Sequence, residues 1–360
     1  MMSFTRKILI PLIKNRKINF LSKGNIVFLT IIMGLMIVLS PSFMKLKWIG
    51  LSLAMFSTMA NDSVQTLGTF LSSNSKVAWW KLWFYISILF VLIVILGWLK
   101  FGGSLDFGRL QNIPYDPSFD IMHFIAPMLL IFLTYNRIPA STTFLILSVF
   151  SSQNMVAFML IKTFCGYILA FIFSFTLWTL LSKYFDKLLT SKDADSKRRR
   201  WKFFQWASTG LLWMAWLTQN TVNIVVYVPR HFGIYDLCLF LFIGIIMIGF
   251  TFYNGGGPIQ QIVKEKKDMS NVRSTTTINL CFAFVIILMS LFNTVPMATT
   301  WVFIGILAGR ELSMAKYDNN TEISLMERYR NARGIIFKDL ISAGLGITIS
   351  LIFSIINSTF

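Results

Sequence analysis

The stretch Ala60-Asn61-Asp62-Ser63-Val64-Gln65-Thr66-Leu67-Gly68-Thr69 closes an apolar run that begins at Trp48. It places a carboxylate, two amides and several hydroxyls in a segment otherwise suited to hydrocarbon. Polar groups at bilayer depth are costly and a carboxylate especially so, which makes Asp62 a functional residue unless the segment ends before it. If the segment ends near Ala60, Asp62 caps the following helix from the interface. If it continues, the sequence predicts a break within the membrane where Asn61 and Asp62 offer oxygen ligands to a hard cation, because such cations prefer oxygen donors.

The rest of the chain favours the membrane. Of 360 residues, 55% are hydrophobic, 16% aromatic and only 13% charged, where a soluble domain carries about a quarter charged residues. An all-α polytopic membrane protein is expected, multi-pass and integral to a plasma or inner membrane. The clearest spans are Asn25 to Met44, Leu82 to Trp98, Leu237 to Tyr253, Ile278 to Phe292 with its polar flank, and Gly334 to Ile356; a hydrocarbon core takes roughly 20 apolar residues in a helix. The net charge of +18 is segregated rather than spread. Arg6, Lys7, Lys14, Arg16, Lys17 and Lys23, with the run Lys197, Arg198, Arg199, Arg200 and Lys202, fit cytoplasmic topology signals and contact with anionic lipid better than nucleic-acid binding. The basic leader, 1–24, precedes segment 25–44, which lacks a small-residue cleavage site and is therefore expected to stay as an extra N-terminal helix. Cys165, Cys238 and Cys281 lie singly in apolar segments, without the spacing of a disulfide framework or zinc site.

A charged linker, 185–202, divides the chain near its midpoint, so a first repeat over 45–184 and a second over 203–360 are expected. In the second half Gln219-Asn220-Thr221-Val222-Asn223 closes the apolar run that starts near Ser208. Aligned with the first cluster, Gln219 matches Asn61, Asn220 matches Asp62 and Asn223 matches Gln65. Each half then carries a later element, Ile138-Pro139-Ala140-Ser141-Thr142-Thr143 and Val295-Pro296-Met297-Ala298-Thr299-Thr300. Proline suits a first helical turn and hydroxyls cap free amides, so both read as starts of broken helices. Unpaired N–H groups and the positive dipole end of such a start hold an oxyanion. For either element alone, a proline kink with hydroxyls bonded back to carbonyls is the alternative; placement in both halves favours the helix start.

Orientation adds a constraint. If the leader and the linker share the cytoplasmic side, the crossings between them are even in number, yet a simple count gives five: 25–44, 48–70, 82–101, 119–136 and 154–182. Residues 138–182 would span about 67 Å as helix, enough for two crossings or for two half-helices and one crossing. One extra crossing there restores parity and sets the polar clusters in opposite orientations, as inverted repeats require.

With its Asn61-Asp62 signature and paired Pro-x-x-Thr-Thr elements, the chain resembles the inorganic phosphate transporter (PiT) family. The likeness extends through Gly257-Pro258-Ile259 to Ile278 and from Thr294 to Gly309. It implies an inverted-repeat transporter with about 10 transmembrane segments and two re-entrant helical hairpins. It also implies phosphate moved with sodium or protons, commonly by a homodimer. The implied substrate site comprises Ser141, Thr142, Thr143, Ala298, Thr299, Thr300, Asn61 and Asn220; the cation site comprises Asn61, Asp62, Gln65, Gln219, Asn220 and Asn223. Asn220 stands where the family signature carries Asp, and Phe144 and Trp301 follow the Thr-Thr pairs where His is frequent.

Secondary transport of phosphate, with sodium or a proton as coupling ion and no other cofactor or metal, is therefore the expected function. A sulfate or other oxyanion permease of the same fold, or a non-transporting degenerate partner or sensor, are the alternatives. Lys162 and His123 are set aside as snorkelling or interfacial, and Gly255 to Pro258 as a loop. Lys264 to Asp268 is read as a solvated surface helix. No Walker A pattern, paired catalytic carboxylates or zinc-binding His pair occurs, and Asp62 has no accompanying nucleophile or metal set, so an enzyme is disfavoured.

Overall fold

Hydrocarbon offers no water to backbone N–H and C=O groups, so a chain this apolar must pair them inside helices or in a closed barrel. Every regular element among the described residues is a helix. The computed structural model describes residues 43–115, 122–135, 140–189, 195–255, 272–292, 294–317 and 325–359. The leader 1–24, the extra helix apart from Phe43 and Met44, the centre of the linker, Gly256 to Pro258 and Lys264 to Asp268 lie outside them.

In chain order the helices are α1 (Phe43–Ser73), α2 (Trp79–Lys100), α3 (Met122–Tyr135), α4 (Thr142–Phe150), α5 (Gln153–Leu189), α6 (Asp195–Asn220), α7 (Val222–Val225), α8 (Ile234–Tyr253), α9 (Val272–Phe292), α10 (Thr299–Tyr317) and α11 (Leu325–Thr359). Four are long and apolar enough to cross a membrane: α2, Gln153–Leu181 of α5, α8 and α9. On α2 the two faces are equally apolar but differently placed. Leu82, Ile86, Phe90 and Val94 are buried, while Phe84, Ile88, Leu92 and Leu96 are exposed. A four-residue spacing puts each set on one side of the helix, and the exposed side suits lipid.

The expected break at Asn61 and Asp62 is not found: α1 runs unbroken from Phe43 to Ser73. The polar side chains find partners on other helices, so the backbone ladder beneath them need not open. Its counterpart passes from α6 to α7 through Thr221, which keeps helical dihedrals, donates to Leu217 O (3.0 Å) and accepts from Val225 N (3.0 Å).

Helix α6 serves as a ruler for the two hairpins. Beyond its C-terminal end, Tyr227 Oη donates to the carbonyl of His123 at the start of α3 (3.0 Å), and its ring meets Phe150 at the end of α4. His123 also packs edge-on against Phe150. Helices α3 and α4 therefore enter and leave at the same end, hereafter the loop end, and meet at a tip near Ala140 to Thr143. At the linker end of α6, Trp201 lies under the guanidinium of Arg273 at the start of α9. Ser313, near the end of α10, pairs with Thr179 late in α5 (3.0 Å). Helices α9 and α10 thus form a second hairpin that enters from the opposite end, with its tip at 294–298.

Segment 25–44 lies outside the described residues, so the count of crossings before the linker is not fixed by the structure. Helix α3 has 14 residues, about 21 Å at 1.5 Å per residue, too short for the core. Met122–Tyr135, within the expected crossing 119–136, is thus one arm of a hairpin, and 138–182 holds the short α4 and the long α5. The linker is also largely helical up to its centre, since α5 continues to Leu189 and α6 starts at Asp195.

Helix α10 packs along α5 and α4 packs on α11, while α6 pairs with α9 and α2 with α8. The closest of these contacts comes from Gly305-Ile306-Leu307-Ala308-Gly309, a small-xxx-small stripe of the kind that lets membrane helices approach backbone to backbone. A Cβ on Gly305 would stand 2.6 Å from Tyr167 O, and one on Gly309 would stand 2.4 Å from Phe171 O and 2.9 Å from Phe175 N.

Gly309→Ala is expected to destabilise by about 1–3 kcal/mol, the usual cost of overpacking, because backbone rather than a flexible side chain must give way. Thermal unfolding of the detergent-purified protein, followed by tryptophan fluorescence, measures it; an unchanged midpoint would show that the α5/α10 contact is looser than these distances.

Candidate functional site

At the tip of the first hairpin, Ser141 is the N-cap of α4, and its Oγ accepts from Phe144 N (3.2 Å). At the tip of the second, the residue before α10 is Ala298, whose methyl cannot cap; its N–H donates to Thr163 Oγ1 (3.0 Å). An N-terminus without a capping side chain keeps donors for a ligand. The tips touch, since Thr143 Oγ1 donates to Met297 O (3.3 Å).

The two polar clusters hold these tips in place. On α1, Asn61 and Asp62 lie one turn from Gln65, on the same face. Asn61 Nδ2 donates to Ala140 O (2.7 Å) and to Thr142 Oγ1 (3.2 Å) of the first hairpin, while Gln65 Nε2 donates to Thr300 Oγ1 (2.9 Å) of the second. From α6 and α7, Asn220 Nδ2 donates to Thr299 Oγ1 of the second hairpin (3.3 Å). Asn223 Nδ2 donates to Thr143 Oγ1 of the first (3.3 Å). Each cluster therefore binds both tips. The aligned pairs correspond here too: Gln65 Nε2 lies 3.4 Å from Asp62 Oδ1, and Asn223 Nδ2 lies 3.3 Å from Asn220 Oδ1.

Asp62 is 1% exposed, and the donors to it are neutral: Asn61 Nδ2 at 2.7 Å, Gln65 and the Thr142 hydroxyl. Three nearby amide oxygens are buried with no partner among the described residues: Gln65 Oε1, Gln219 Oε1 and Asn223 Oδ1. An unmet buried acceptor costs about 1–3 kcal/mol, and a carboxylate with several such oxygens is the donor type that a dehydrated hard cation takes. No group of three His, Cys, Asp or Glu side chains comes together among the described residues.

All twelve residues singled out in the sequence lie at or beside the two tips and their clusters, including Gln219, whose Nε2 donates to Ser290 Oγ on α9. Thr134, whose Oγ1 lies 3.5 Å from Asn61 Oδ1, was passed over, though a hydroxyl eight residues before Thr142 in an apolar run was a legible signal. A further buried network on the linker side, in which Asn279 Nδ2 donates to Thr209 Oγ1 (2.8 Å) and Thr69 Oγ1 donates to Asn279 Oδ1 (3.2 Å), had no motif to announce it. Lys162, set aside as snorkelling, is only 6% exposed and donates to Val295 O at 2.6 Å, next to the second tip. His123 stays outside the site, against Phe150.

No protein-family model matches the sequence, and no curated protein does. Among solved structures, one titled "The sodium-dependent phosphate transporter" superposes on 87% of this chain and 99% of its own, with a TM-score of 0.56 and 14% identity. At that identity the likeness concerns the fold. The chain is an integral, multi-pass membrane protein with a polytopic helical transporter fold.

Thr143→Val and Thr300→Val each remove the hydroxyl that takes a buried amide N–H, so each is expected to lower stability by about 1–3 kcal/mol, and by similar amounts because the two threonines occupy matched positions. Thermal unfolding of both variants tests this; a large loss for one and none for the other would break the correspondence between the two tips.

Proposed function

We propose that this protein is a secondary transporter that moves inorganic phosphate across a membrane together with a cation, sodium or a proton. The observation that carries the reading is the meeting of two hairpin tips from opposite ends, each tied to both amide clusters, around one buried carboxylate. The solved structure of similar fold is titled as a sodium-dependent phosphate transporter.

Each part has a chemical task in this reading. The starts of α4 and α10, with the hydroxyls of Thr142, Thr143, Thr299 and Thr300, supply donors to a tetrahedral oxyanion. Asp62 with the unmet oxygens of Gln65 and Asn223 supplies donors to the cation. A cation at Asp62 makes the neighbourhood more favourable to an anion and the reverse, since linkage is reciprocal. Phosphate near pH 7 keeps a proton to donate and sulfate does not, so an ionised Asp62 beside the anion favours phosphate. Movement of either hairpin toward its own end requires release of amide bonds from both clusters, which ties opening to occupancy of the site.

Uptake of radiolabelled phosphate into proteoliposomes tests the proposal. Uptake driven by a sodium or proton gradient is expected, with Asp62→Asn reducing it about 10- to 100-fold, the equivalent of losing about 1.5–3 kcal/mol of charge-assisted binding. Equal competition by sulfate would reassign the cargo, and the absence of gradient-driven uptake of either anion by folded protein would end the transporter reading.

The second half carries an amide, Asn220, opposite Asp62. Asn220→Asp adds a negative charge beside Thr299 and is expected to raise apparent cation affinity about tenfold, or about 1.4 kcal/mol; the cation dependence of uptake measures it, and an unchanged half-saturation would place the cation away from Asn220.

A further inference from the structure

Two basic side chains are buried on the loop-end side of the second tip, outside the hydroxyl and amide site. Arg109 belongs to the loop 101–115 after α2. The carboxylate of Asp106 shapes this loop, accepting from Ser104 Oγ (2.6 Å) and Gly108 N (3.1 Å) on Oδ1 and from Leu110 N (3.0 Å) on Oδ2. The loop is also bonded to the segment before α8 through Phe232 N and Gly103 O (2.9 Å). Held there, Arg109 is 6% exposed. Its Nε donates to Thr218 O (2.7 Å), just before Gln219 and Asn220, and its Nη1 is buried with no partner among the described residues. Lys162 reaches Val295 O from α5, four residues before the start of α10. The next residue of α5, Thr163, accepts from Ala298 N.

The two basic groups act on one another electrostatically. Asp106 acts on Arg109, but three bonds already occupy its oxygens, and it also acts on a third cation, Arg230. Burial brings Arg109 down to about 10, against the opposing pull of Asp106, which leaves it charged at pH 7. Like charges that act on one another away from water are unfavourable unless an anion offsets them. Arginine presents a planar fork of donors and lysine a compact point charge, both suited to phosphate-type oxygens.

We propose that Arg109 and Lys162 form a second anion station that takes a tetrahedral oxyanion on the loop-end side, before it reaches the threonine hydroxyls between the tips. The identity of the cargo rests on the transport reading; the existence of the station does not. Loop and tip are pinned by the same two residues, so the test must separate anchoring from binding.

Isothermal titration of inorganic phosphate into the full-length protein, in nanodiscs of phosphatidylcholine, is expected to show two anions bound per chain. Arg109→Gln and Lys162→Gln are each expected to weaken one of them about tenfold or more, with Arg109→Lys restoring most of it. Thr143→Val with Thr300→Val is expected to weaken the other. In proteoliposomes the Gln variants should raise KM with little change in maximal rate, and should flatten the rise of KM with ionic strength. A single native anion that Arg109→Gln leaves unaffected would overturn the station while leaving the transport reading standing. Gln variants that lose thermal stability yet bind both anions would show an anchoring role alone and also overturn it. Two native anions with no gradient-driven uptake would keep the station and remove the transporter. An anionic lipid headgroup offers the same phosphate chemistry, so loss of the second anion when phosphatidylserine is added to the nanodiscs would assign the station to lipid and overturn its place on the path.

Discussion

An amide buried in hydrocarbon must give away its N–H groups, and around the centre of this protein four amides do so by bridging elements far apart in the chain. Asn61 and Gln65 on α1, with Asn220 and Asn223 from α6 and α7, reach both hairpin tips. Without these bonds the tips would present helix starts with unpaired amides in a low dielectric, where each costs more than it would near water. The hairpin tips can turn back inside the protein because partners await them there. The rest of the fold, with α5 backing α10 and α11 backing α4, holds the two hairpins in register with the amides.

The two halves share a pattern but divide the chemistry unequally. Asp62 carries the buried carboxyl group, and its counterpart is the amide of Asn220. Ser141 caps α4 with its hydroxyl, and its counterpart Ala298 caps nothing. One reading unites these differences. In the proposed transport reading, the first half supplies the carboxyl group for a cation, and the second supplies a helix start without a capping side chain for an anion. Opposite partners then meet across the join between the tips.

Arg109 and Lys162 extend this logic toward the loop end. Neither belongs to a repeated motif, and each ties down a structural element through a backbone carbonyl. Burial of two cations for anchoring alone would be expensive, since neutral donors would serve a carbonyl equally well. The proposed anion station gives both basic groups a further task.

Hydropathy and the cost of polar groups are properties of contiguous residues, and what depends on them was legible in the sequence: the helical membrane class, the apolar spans of α2, α8 and α9, and the polar clusters with their Pro-x-x-Thr-Thr partners. The pairing of Asp62 with Asn220 and of Gln65 with Asn223 followed from order alone and recurs in the hydrogen bonds. Other features belonged to tertiary structure. A 14-residue helix such as α3 is too short to span the core, and contact of His123 with Phe150 and Tyr227 decided that it pairs with α4 as a hairpin. Continuity at Asn61 and Asp62 depended on acceptors at Ala140 and Thr300, the latter 235 residues from Gln65. Burial of Arg109 and Lys162 depended on which carbonyls the fold set before them. Local composition determines what a segment must pay to enter the membrane, but only distant partners determine where its polar atoms find relief, and those partners exist only once the chain has closed on itself.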